Sequence, residues 1–119
     1  SLSLRECDIL KLNEWEGGKL KYIVSNPPYI PPSERPIMAL TTLRYEPPLA
    51  LFADEEDPLI FYRHIGLLGQ KALLSKGEIW VECGFTQGND VAKLFDHQGY
   101  TTSIYEDSSG VNRFVRAIK

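Results

Sequence analysis

Two consecutive prolines, Pro27 and Pro28, close the apolar run Tyr22-Ile23-Val24-Ser25, and this junction constrains the fold more than any other stretch. The β-branched run predicts a buried strand over residues 21–25. Neither proline can donate to a sheet ladder, so the strand must stop where they begin. Asn26, Pro27, Pro28 and Tyr29 are therefore delivered together at a C-terminal strand edge, where open α/β sheets bind ligands. A carboxamide, a rigid main-chain carbonyl and an aromatic ring suit the holding of a planar NH2 group. Asn26 Oδ1 and the carbonyl before Pro27 can each accept one N–H, while the Tyr29 ring packs on the flat face. Asn-Pro-x-Tyr is also a peptide signal read by adaptor domains, but such signals lie in exposed tails. This one abuts an apolar strand in a chain that is 43% hydrophobic. A plain proline turn is the other bland reading, and the landmarks downstream weigh against it.

The flanking sequence alternates strands and helices. Residues 2–7 read as a strand ending at Asp8, and residues 13–19 as a polar loop. Residues 30–57 form a proline-rich segment too long for an idle connection, which points to a functional loop. Asp57 as N-cap and Pro58 at the first helical position predict a helix whose Phe61, Ile65, Leu68 and Ala72 share one face, ended by Gly77. Residues 78–83 predict a second buried strand. Residues 89–98 predict a helix closed by Gly99. Residues 100–106 and 112–118 predict a hairpin whose turn, 107–111, places Gly110 at a positive φ. The series is α/β, one unit at most for 119 residues, with an antiparallel pair at its end.

The Asn-Pro-Pro-Tyr-Ile run resembles the signature of S-adenosylmethionine-dependent amino-group methyltransferases. Three further landmarks follow in order: Arg44-Tyr45-Glu46-Pro47 with Ala50-Leu51, Glu82 ending an apolar strand, and Asp107-Ser108-Ser109-Gly110 before Arg113. Together they resemble the HemK (PrmC) type, which methylates a glutamine side-chain amide in peptide-chain release factors. The resemblance runs from about Ser3 to Lys119 and covers the C-terminal half of such a catalytic domain. It implies a class I, Rossmann-like methyltransferase sheet whose last strand runs antiparallel to the rest. It also implies S-adenosyl-L-methionine as cofactor, a release factor as protein substrate and a cytoplasmic setting. In the family, a Gly-rich strand-to-helix turn and a ribose-binding acidic residue precede the position of Ser3. This chain holds neither, so residues 1–119 read as the C-terminal part of one catalytic domain, with the upstream cofactor-binding half as a possible partner.

The resemblance assigns roles residue by residue. Asn26, Pro27 and Tyr29 form the catalytic group, and Asn26 also touches the cofactor. Asp8 matches an acidic position near the cofactor's adenine, although an Asx turn is an equal reading. Arg44 and Glu46, with Pro28, shape the substrate channel or pair with one another. Glu82 in an apolar strand is costly unless it is bonded, and reads as structural support for the site.

Several classes are set aside. A net charge of −3 with scattered Lys and Arg offers no field for a phosphate backbone. A base-methylating enzyme that extrudes adenine, cytosine or guanine therefore stands as the alternative, and a non-catalytic interaction piece as the second rival. Cys7 and Cys83 lack metal spacing and read as reduced core thiols in strands; no metal is implied. His64 and His97 read as helix-face residues. Ser25 lacks a Gly-x-Ser-x-Gly elbow and a histidine partner, which argues against acyl transfer. Nothing resembles a signal peptide or membrane span.

Overall fold

Alternation of side chains along a strand separates Ile79, Val81 and Cys83 from Glu78, Trp80 and Glu82, and the first set builds the core. The computed structural model of the chain describes residues 2–28 and 57–119. Within them a four-stranded sheet runs in the order β1-β2-β4-β3, with β1 at Leu20–Ser25, β2 at Leu73–Glu82, β3 at Thr101–Glu106 and β4 at Asn112–Ile118. β1 and β2 are parallel, while β4 is antiparallel to both β2 and β3. The last strand thus enters between its two predecessors and runs against them, as the resemblance implies.

Helix α1 (Ile60–Ala72) and helix α2 (Gly88–His97) cover one face of this sheet. Tyr62 and Ile65 from α1 and Val91 and Phe95 from α2 meet Ile79, Val81, Val115 and Ala117, all at most 2% exposed. The opposite face carries Tyr22, Val24, Tyr105 and Phe114, which remain exposed.

Local signals account for most of the boundaries. Asp57 caps the turn that leads into the helix and not the helix itself, whose N-cap is Leu59: the Asp57 carboxylate accepts the Leu59 N–H at 3.2 Å and its carbonyl the Ile60 N–H at 3.1 Å. Helical geometry begins at Ile60, two residues later than Pro58 suggested. Helix α2 closes as a Schellman motif. Gly99, at φ +97, donates to Asp96 O at 3.0 Å and Tyr100 donates to Phe95 O at 3.0 Å, while the Phe95 and Tyr100 rings meet edge-on at 5.8 Å. Gly110 lies in the hairpin turn at φ +79, as expected.

Three expectations are corrected. Residues 2–7 form no strand: Leu2 and Leu4 are 85% and 87% exposed, and among the described residues no strand pairs with them. Cys7 is accordingly an exposed free thiol and not a core one, whereas Cys83 is buried and its thiol is pushed up to about 12 by that burial. Helix α1 ends at Ala72 and not at Gly77, which lies inside β2. The Lys119 ammonium reaches back to cap it, donating to Gln70 O at 2.7 Å and Leu73 O at 2.9 Å. A cation at a helix C-terminus meets the orphan carbonyls and the negative end of the dipole.

Candidate functional site

The parallel pairing of β1 and β2 sends both C-terminal ends to one edge of the sheet, and the β3–β4 turn lies on that edge too. Ser25 is paired with Val81 and Glu82 with Phe114. One step past Ser25, Asn26 is exposed at the strand end, Pro27 is buried and Pro28 is half-buried. A stiff, partly buried Pro-Pro step thus fixes the backbone that carries the Asn26 carboxamide.

Asn26 opens onto a depression of ≈ 450 Å³, lined also by Val24, Ser25, Trp80, Glu82 and Phe114. Val24, Trp80 and Phe114 make it largely apolar, with Asn26 and Glu82 as its polar end. A larger crevice of ≈ 560 Å³ lies between α2 and β3, but no expected site residue lines it. We place the candidate site at the smaller one for that reason.

The Trp80 wall is locked in place. Its indole stacks on Tyr105 at 5.3 Å, its Nε1–H donates to Glu78 Oε1 at 3.1 Å, and the Arg116 guanidinium lies 5.6 Å from the ring centre. Arg116 also donates to Glu78 at 2.5 Å, and this bond, ahead of the Trp80 one, holds the Glu78 carboxyl below the usual range. At the hairpin, Asp107 accepts N–H bonds from Val111 and Ser109 and pairs with Arg113 at 3.3 Å. Those bonds, the main-chain ones foremost, lower its pKa.

The remaining expected residues fall elsewhere. Asp8 accepts the Leu10 N–H at 2.9 Å and caps a single 3-10 turn, Ile9–Lys11. That is the Asx-turn reading, and Asp8 does not line the depression. Tyr29, Arg44 and Glu46 lie outside the described residues, as does the long segment over 30–56. His64 and His97 sit on α1 and α2, away from the depression. Among the described residues no group of three His, Cys, Asp or Glu side chains could hold a metal ion, and no helix is long and apolar enough to cross a membrane. Sequence reasoning missed Trp80 and Phe114. Period-2 alternation could have placed Trp80 on the face of Glu82, but Phe114 depends on the insertion of β4 beside β2.

This arrangement fits the holding of a planar amide beside an apolar wall. Among the described residues, the buried acceptors without a partner, Gln87 Oε1 and Gln98 Oε1, do not line the depression.

The chain is similar to several known proteins. No family model matches the chain. A "Bifunctional methyltransferase" of Rickettsia felis is 48% identical over 101 residues, 82% of this chain and 19% of that protein. A "Release factor glutamine methyltransferase" of Bacteroides thetaiotaomicron is 33% identical over 117 residues, 98% of this chain and 42% of that protein. The crystal structure of a release factor-specific protein-(glutamine-N5) methyltransferase from Alicyclobacillus acidocaldarius superposes with a TM-score of 0.54 at 26% identity, covering 85% of this chain and 49% of that one. The chain therefore spans less than half the length of these relatives. In sequence and in sheet topology, it matches the C-terminal part of the release factor glutamine methyltransferases.

Proposed function

We propose that the whole protein transfers a methyl group to the side-chain amide nitrogen of a glutamine in a peptide-chain release factor. In this reading residues 1–119 form the C-terminal part of one catalytic domain, and they hold the amide. The observation that carries it is the placement of Asn26-Pro27 at the end of a parallel strand, opening on an apolar depression. The release-factor assignment rests on the relatives' names.

An amide nitrogen is a poor nucleophile because its lone pair is delocalised into the carbonyl. Among the described residues lining the depression, no group is basic enough to deprotonate a neutral amide, so catalysis comes from orientation. Asn26 Oδ1 and the main-chain carbonyl before Pro27 accept the two N–H bonds, which fixes the NH2 group and lets its lone pair localise. Tyr29 packs on the amide plane, and Arg44 and Glu46 shape the channel above it. Val24, Trp80 and Phe114 give the depression its apolar walls. When bound, S-adenosylmethionine supplies the methyl group from its sulfonium. On this chain Asn26, and less directly Asp8, would lie toward it. A substrate that works on ribosomes puts the reaction in the cytoplasm.

The test is to incubate the whole protein with methyl-labelled cofactor and, in separate arms, purified release factor, ribosomal RNA and DNA. Label in the release factor, lost when its target glutamine is changed to glutamate, is the expected result. A glutamate carboxylate has no N–H to give Asn26. Label in nucleic acid alone would replace this reading with base methylation.

A further inference from the structure

Strand β3 pairs with β4 on one side only, and among the described residues no strand takes its other side. Alternate residues of β3 therefore turn an N–H and a C=O outward. Natural sheet edges are usually guarded by charge, proline or a bulge. Here the register shift falls between Tyr105 and Glu106, and Glu106 is also the first charged residue of the strand. Thr101-Thr102-Ser103-Ile104-Tyr105 is left without a guard, and Thr, Ile and Tyr all favour strands. The space beside the edge is open as well. Thr102 and Ile104 pair with the buried Ala117 and Val115, which puts them on the helix-covered face. Between them and α2 lies the crevice of ≈ 560 Å³, lined also by Asn89, Lys93 and Asp96. The Thr102 hydroxyl donates to Asp96 at 2.7 Å, so the helix side of the crevice carries one fixed negative charge and, a turn earlier, one positive charge.

We infer that this edge docks a second copy of the chain, β3 pairing antiparallel with its twin about a two-fold axis at Ser103. A free edge accepts an extended backbone, and the charges beside it select the copy. A two-fold sets the two α2 helices antiparallel across the seam, so Lys93 of each copy comes to the Asp96 side of the other. Thr101 then lies opposite Tyr105, and Thr102 opposite Ile104, which are cross-strand pairs that suit a sheet. The two Glu106 carboxylates fall outside the paired stretch, roughly 20 Å apart along the strands, so no like charges meet. This surface is separate from the depression at Asn26 and does not depend on the proposed methyl transfer.

The test is sedimentation equilibrium of the whole protein from low micromolar to near-millimolar concentration, since a seam of this size binds weakly. Ser103 is exposed, and at the axis it faces its own twin. Ser103→Lys and Ser103→Glu each place like charges opposite one another and should weaken dimerisation roughly tenfold or more. An equimolar mixture of the two variants should restore it, because the opposed charges then attract. Thermal midpoints show that each variant folds, and the acidic one, beside Arg116 on β4, is informative by itself. A wild type that stays monomeric throughout, a dimer that survives either substitution, or a mixture that stays monomeric would overturn the inference.

Discussion

The Tyr62 hydroxyl and the Glu82 carbonyl, 2.8 Å apart, join helix α1 to the end of β2 at the point where the candidate site opens. Tyr62 is fully buried, so the bond is made in a region with little competing water. One side chain therefore ties core packing to the position of the site's acidic residue.

Tyr62→Phe keeps the ring and removes this bond. We expect a stability loss of about 1 kcal/mol, read as a lower urea midpoint with an unchanged slope. A midpoint equal to that of the wild type would show that the bond contributes nothing net.

Asn26→Ala in the whole protein removes one preorganised acceptor from the amide. The methyl-transfer rate should fall by roughly a hundredfold or more, while cofactor affinity changes far less. Single-turnover kinetics measure both, and near-normal transfer would remove Asn26 from the proposed role.

The 119-residue chain taken alone carries no Gly-rich strand-to-helix turn, the element that lets a backbone approach a nucleotide-type cofactor closely. Calorimetric titration of this chain with S-adenosylmethionine should show weak binding or none. A micromolar dissociation constant would contradict the assignment of the cofactor to the upstream part.

Asp107 prefers its charged form in the folded state, because the Val111 and Ser109 N–H groups and then Arg113 bond the carboxylate. Its contribution to stability is thus present above the ordinary aspartate value of 3.8 and is lost as pH falls below it. Thermal midpoints measured from neutral to acid pH should fall more steeply for the wild type than for Asp107→Asn. Parallel curves would deny the hairpin this pH dependence.

Gly99→Ala meets no atom within 4 Å, so any cost comes from the backbone. At φ +97 an L side chain is strained, and we expect a loss of about 1 kcal/mol. Calorimetry of the thermal transition checks it.

Local chemistry made part of this protein legible without coordinates. A β-branched run cut by Pro27 and Pro28 read as a strand ending just before Asn26, and Gly99 and Gly110 marked a helix end and a hairpin turn, since few other residues accept positive φ. The same local reading failed at residues 2–7, where an apolar pattern has no strand to pair with among the described residues, and at α1, whose last carbonyls are met by Lys119 arriving from the far end of the chain. The walls of the candidate site were beyond sequence for the same reason. Alternation says which face a residue occupies, but not which strand lies beside it. Only the insertion of β4 between β2 and β3 sets Phe114 against Glu82 and Tyr105, and only that long-range pairing turns an exposed asparagine at a strand end into one side of a cavity.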